Sequence, residues 1–203
     1  MKVRAAKVSV RALIVLALVA LAVYGFDQLT KHLIVSTMTE GQQVSVLGQV
    51  LQFYFVKNSG AAFSIASGST WVFSIAASAV TVFIILFARK IRSIGWAILF
   101  GMLLGGTAGN LTDRLFREPG FGVGHVIDFI KVYGFPAIFN VADSFIVASM
   151  GLFIILTIRG VNLDGRRASR VAAKTAADDE ASERVGAEEA GDERVDDDRP
   201  GTE

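Results

Sequence analysis

The stretch 93-SIGWAILFGMLLGGTAGNLT-112 decides the fold class. It holds no Asp, Glu, Lys or Arg, and it is bounded by Arg92 on one side and by Asp113 and Arg114 on the other. As a helix, a run of that length rises about 30 Å, the thickness of a bilayer's hydrocarbon core. Gly101, Gly105, Gly106 and Gly109 give it a small-residue face, which lets helix backbones approach closely in lipid. No lysine stands where a phosphate-binding loop would need one.

Three further runs share this character. Ala12–Phe26 lies between Arg11 and Asp27, and with Val8–Val10 as an extension it gives a span of about 10–26. The others are 70–88 and 137–158, the last interrupted only by Asp143. The N-terminal run ends in Gly25-Phe26-Asp27-Gln28, with no small-x-small cleavage pattern, so it reads as a retained span and not a secretory leader. Composition agrees with a membrane protein: 52% of residues are apolar and only 19% are charged. With no cysteine, disulfides, thiolate metal sites and Cys nucleophiles are excluded, and two histidines are too few for most His-based metal sites.

Loop charge predicts the orientation. Lys2, Arg4, Lys7 and Arg11 precede the first span, Arg89, Lys90 and Arg92 separate the second from the third, and Arg159, Arg166, Arg167 and Arg170 follow the fourth. The two longer loops carry only Lys31, Lys57, Arg114, Arg117 and Lys131. Both termini are therefore expected in the cytoplasm and both long loops on the outer face. Residues 1–160 read as one membrane domain, and 161–203 as a disordered, charged cytoplasmic tail too poor in apolar residues to offset the entropy of ordering. Within the first outer loop, 41-GQQVSVLGQVLQFYFVK-57 is β-rich, with Gly48 near a turn, and predicts a small hairpin or curved sheet. Trp71 and Trp96 fall near span starts on opposite faces, as interface anchors do.

Residues 1–162 contain just six carboxylates, Asp27, Glu40, Asp113, Glu118, Asp128 and Asp143. Glu40 and Glu118 stand in polar loop contexts. The four aspartates fall near the outer boundary, where an ionisable group costs enough to be a functional candidate. Asn140 and Asp143 share one helix face at i, i+3, and Asn110, Asp113 and Arg114 share another. Packed together, the two faces would line one polar pocket. Part of this set reads as interhelical glue, with Arg114 paired to Asp113. Lys131 and Arg117 are candidate partners for Asp128 and Asp143. Two carboxylates brought close in a low-dielectric site share a proton, so one can take a proton from water while the other donates to a carbonyl oxygen. A Ser–Lys arrangement using Ser59 or Ser64 near Lys57 is the weaker alternative, and His125 reads as a loop residue. A proton-coupled transporter or a structural subunit could also hold buried acids, although no internal repeat is evident.

Five motifs then stand in order: Asp27-Gln28-Leu29-Thr30-Lys31, Lys57-Asn58-Ser59-Gly60-Ala61-Ala62-Phe63-Ser64, Gly109-Asn110-Leu111-Thr112-Asp113-Arg114, Val126-Ile127-Asp128-Phe129-Ile130 and Phe139-Asn140-Val141-Ala142-Asp143-Ser144. This set resembles the bacterial lipoprotein signal peptidases, also called signal peptidase II, over about 10–160. The resemblance implies a multi-pass, monomeric aspartic endopeptidase of the bacterial cytoplasmic membrane. It implies four transmembrane helices, an outer β cradle and an active site near the outer face. The implied substrate is a diacylglyceryl-modified prolipoprotein presented in membrane lipid, with no cofactor, metal or nucleic acid. It implies Asp128 and Asp143 as the catalytic pair. Asn58, Asn110, Arg114 and Asn140 would hold substrate and order the site, with Asp27 and Asp113 in support. Two stretches depart from the family pattern: the one between Arg114 and Asp128 is long, and 132–138 is short.

Overall fold

The computed structural model describes residues 8–60 and 70–165. Ser64 and most of the C-terminal tail lie outside them. Four helices among the described residues are long and apolar enough to cross a membrane. They are α1 (Val10–Thr37), α2 (Thr70–Phe87, continued by a short 3-10 turn at Ala88–Lys90), α3 (Ile94–Phe116) and α4 (Val141–Ile158). Their outward faces carry Leu18, Leu21, Phe83, Leu86 and Ile154, all more than half exposed. Such apolar faces suit lipid and not water.

Two features move boundaries from where hydropathy places them. α1 runs on through Asp27 and Lys31 to Thr37, so 27–37 is helix and not loop. The two charges sit one turn apart and neutralise each other, Lys31 Nζ lying 2.8 Å from Asp27 Oδ2 with both side chains fully buried. α4 begins only at Val141, after an extended segment, because Asn140 caps it: its side chain accepts from the Asp143 N–H while the Asp143 carboxylate accepts from the Asn140 N–H.

α3 is the central helix. Its glycines are contact points: a Cβ on Gly101 would stand 2.8 Å from the Leu16 carbonyl, one on Gly105 2.6 Å from that of Ala20, and one on Gly106 2.7 Å from that of Ala142. The helix thus meets α1 on one side and α4 on the other. Gly109 lies against the Asp27 carboxylate itself.

The expected outer hairpin is present as β1 (Gln43–Leu47) and β2 (Leu51–Asn58), with Gly48 at φ +57° in the turn. A third strand, β3 (Val126–Val132), pairs antiparallel with β2, placing Asp128 opposite Val56. The Asp128 segment is therefore not a loop. Below the sheet Ile34, Phe55, Ile127, Phe129 and Val141 form one buried cluster, which seats the strands on the ends of α1 and α4. A separate cluster of Ala12, Leu16, Ala88, Ile91 and Ala97 closes the opposite end of the bundle.

Candidate active site at the sheet end of the bundle

The polar residues converge where the last turns of α3, the start of α4 and β2–β3 meet. Three asparagine amides organise the site, and each is locked by its neighbours. Asn58, the last residue of β2, accepts the Gly60 N–H on Oδ1 at 2.8 Å, so its NH2 group faces Asp128 Oδ2 at 2.7 Å. Asn140 accepts the Asp143 N–H on Oδ1, so its NH2 group donates to Asp128 Oδ1 at 2.7 Å and to Asn110 Oδ1 at 3.0 Å. Asn110 donates in turn to Asp143 Oδ1 at 2.8 Å, and the Asn140 backbone N–H donates to Asp143 Oδ2 at 3.2 Å. Both carboxylates are thus held on both oxygens by N–H donors, and Asn140 touches each of them.

The two aspartates differ in setting. Asp128 is only 2% exposed, on a strand between β2 and the helices. Burial, reinforced by the charge of Asp143 and opposed by the Asn58 and Asn140 donors and by Lys31, pushes its carboxyl from the usual 3.8 up to about 7. Asp143 is half-buried in the first turn of α4, where the helix dipole favours an anion. Both open onto one cavity of about 540 Å³, bordered otherwise mainly by apolar side chains such as Phe135, Phe139 and Val147.

Arg114, mostly buried, lies over the Phe73 ring with its guanidinium carbon 5.2 Å from the ring centroid. Its Nη1 is buried and finds no hydrogen-bond partner among the described residues. The expected Arg114–Asp113 pair does not form. Asp113 instead pairs with Lys31 at 2.9 Å and with Arg117 one turn along, and it accepts the Ile127 N–H at 3.2 Å. Adjacent side chains on a helix diverge by about 100°, and here Asp113 turns to Lys31 and Ile127 while Arg114 turns to Phe73. Arg117 is thereby removed as a partner for Asp128 or Asp143, and Lys131 lies over the Tyr54 ring. Asp27 braces the site by accepting the Ala142 N–H at 2.9 Å. Glu40 and Glu118 are exposed surface partners of Lys57, at 3.7 and 3.3 Å. Lys31 is the site residue that sequence reasoning assigned to a loop; its spacing of one turn from Asp27 was the available signal.

A family model described as signal peptidase (SPase) II matches residues 19–159. The chain belongs to the signal peptidase II family. The lipoprotein signal peptidase of Leifsonia xyli subsp. xyli is 66% identical over 161 residues, 79% of this chain and 74% of that one. The lipoprotein signal peptidase of Rhodococcus jostii is 42% identical over 154 residues, covering 76% of this chain and 77% of its own. Among solved structures, a bacterial membrane enzyme determined by the in meso method at 1.9 Å resolution superposes with a TM-score of 0.65 at 31% identity, over 75% of this chain and 97% of that one. Family membership and the four apolar helices together make this a multi-pass membrane protease.

Proposed function

We propose that the chain removes signal peptides from diacylglyceryl-modified prolipoproteins as an aspartic endopeptidase, with Asp128 and Asp143 as its catalytic pair. The observation that carries this reading is the junction of the two carboxylates: both are bonded to Asn140 and both open onto the same cavity. A water between them attacks the carbonyl carbon before the lipidated cysteine. One carboxylate takes the water's proton and the other donates a proton to the carbonyl oxygen. As the tetrahedral intermediate collapses and the C–N bond breaks, the first carboxylate passes its proton to the departing nitrogen and the second recovers one from a hydroxyl of the intermediate. The open Nη1 of Arg114 and the second N–H of the Asn58 and Asn110 amides supply donors for the substrate backbone and for the oxyanion, while Asn140, with both its N–H bonds engaged, orders the site. Asp27 and Asp113 hold the helix ends that carry this set. The apolar walls of the cavity suit a lipid-borne segment, whose acyl chains stay in the bilayer while the peptide enters. The enzyme acts as a monomer on this reading, since one chain carries every group the chemistry needs.

The test is cleavage by the purified full chain in liposomes. A diacylglyceryl-modified precursor should be cut immediately before its lipidated cysteine, and the unmodified precursor should be cut far more slowly. Intact modified precursor in a correctly inserted preparation would defeat the proposal.

Orientation follows from the same reading. The sheet end faces outward and the end bearing Arg89, Lys90 and Arg159 faces the cytoplasm. The chain has no cysteine, so single introduced thiols report topology cleanly. Gln49→Cys, in the exposed hairpin turn, should react with an impermeant maleimide in intact spheroplasts. Arg89→Cys should react only after permeabilisation, and the reverse pattern would invert the assignment.

A further inference from the structure

Lys31 is fully buried, and its three ammonium protons have three acceptors: Asp27 Oδ2 at 2.8 Å, Asp113 Oδ2 at 2.9 Å and Asn110 Oδ1 at 2.8 Å. The third acceptor matters most, because Asn110 Oδ1 also receives the Asn140 NH2 group. A flipped Asn110 would point its own NH2 group at two donors and lose both bonds. The amide therefore has one stable setting, and in that setting an N–H meets Asp143 Oδ1. The path from cation to amide to carboxylate ends on Asp143; the bonds that hold Asp128 come from Asn58 and Asn140.

Resting on the aspartic reading above, we propose that Lys31 is a positioning residue for the reaction. Clamped between Asp27 and Asp113, it fixes the Asn110 amide against Asp143 and so biases the pair towards Asp143 as the base and Asp128 as the acid. Two differences in setting support this division of roles. Each carboxylate alike accepts two N–H donors, but Asp143 is half-buried and stands in the first turn of α4, at the helix N-terminus, which favours an anion. Asp128 is the more deeply buried of the two, which favours the neutral form. The ionisable groups around the relay are Asp27 on α1, Asp113 and Arg114 on α3, Arg117 at the C-cap of α3, Asp143 on α4 and Asp128 on β3. Asp27 and Asp113 are engaged by the ammonium, and Arg117 by Asp113, so none of those three competes for Asn110.

The experiment is the kcat and KM of the full-length enzyme on the modified precursor across pH 4–9. Lys31→Met alone would strand two buried acids, so it is combined with Asp27→Asn to keep the buried charge balanced. The expected result is a KM close to wild type and a kcat lower by about 100-fold, the scale of a misplaced reacting group. The acid limb of the kcat profile should be displaced from its wild-type position, because the base loses the amide that holds one of its oxygens. Lys31→Arg, which keeps the charge, should return the limb towards its wild-type position. Asn110→Leu, which cuts the link but leaves the ion pairs intact, should displace the limb as the double variant does; it decides the matter if the double variant fails to fold. A limb that stays in place in folded Asn110→Leu, or in the folded double variant, overturns the proposal, because a purely structural lysine would lower activity without moving it. Asp128→Asn and Asp143→Asn run alongside. If either still cleaves at the wild-type rate, the dyad itself fails and the role of Lys31 with it. If both are inert while the acid limb stays at its wild-type position in the Lys31 and Asn110 variants, the dyad stands and only this inference falls.

Discussion

Asp128→Asn and Asp143→Asn are each expected to lower cleavage of the modified precursor by about 10³-fold or more while leaving a folded protein. A general acid or base contributes about 10²–10⁴-fold, and here each change also removes the group with which the partner shares its proton. An amide is nearly isosteric with a carboxylate and leaves one oxygen to accept from Asn58, Asn140 or Asn110. The loss should therefore appear in kcat, with precursor binding retained. Asp128→Asn carries a second, independent signature. The Asp128 carboxyl titrates at about 7 in the folded protein against 3.8 for an unperturbed aspartate. Its contribution to stability is thus fully present below about pH 4. It is lost as pH rises towards 7, because over that window the unfolded chain releases the proton and the folded chain keeps it. The limiting slope from one such group is about 1.4 kcal/mol per pH unit. Thermal unfolding in detergent from pH 4 to 8 should show that decline in the wild type and lack it in Asp128→Asn. A variant that is inert but retains the wild-type slope would show that another group titrates in this window. A folded variant of either aspartate that still cleaves at the wild-type rate would remove the dyad.

The apolar spans and the β hairpin were legible because each depends on a local period: charge-free runs for the helices, alternation around Gly48 for the strands. What the sequence concealed depends on partners far along the chain. β3 reads Val126-Ile127-Asp128-Phe129, and all four are buried, so no alternation betrays a strand; its pairing is with β2, some seventy residues earlier. Lys31 reads as a loop cation because the acids that neutralise it lie on its own next turn and on α3. A charge pair facing a neighbouring helix lets α1 continue where a hydropathy window stops. The Asp113–Arg114 pairing was misjudged for a simpler reason: adjacency in sequence was taken for adjacency in space. The candidate pair itself could be named only through ordered motifs. No spacing rule places residue 128 of a strand beside residue 143 of a helix; that meeting is made by Asn140, which caps α4 and reaches back to Asp128.

The distance between α3 and α4 should control the chemistry as directly as the aspartates do, and Gly106 sets it. A Cβ there would stand 2.7 Å from the Ala142 carbonyl oxygen and 2.8 Å from Ile146 Cγ1. The first of these is backbone in the opening turn of α4 and cannot rotate away. Gly106→Ala must therefore push the start of α4 outward, and the residue after Ala142 is Asp143. Asn110, one turn along α3 from Gly106, would then no longer reach Asp143 at 2.8 Å, and the Asp27 bond to the Ala142 N–H would stretch with it. A displacement of about 1 Å in a reacting group costs on the order of 100-fold in rate. Gly106→Ala should accordingly reduce kcat by about that factor and lower the unfolding temperature, although the added methyl group raises intrinsic helix propensity. Gly151→Ala is the matched control: it lies on α4 itself, nothing stands within 4 Å of its would-be Cβ, and it should leave kcat unchanged. If both variants behave like the wild type, α4 has room to shift without disturbing the pair, and close packing at Gly106 serves assembly alone. If Gly106→Ala loses activity while Gly151→Ala does not, the small-residue face of α3 is part of the active-site geometry, because it fixes how near one helix's amide comes to the other helix's carboxylate.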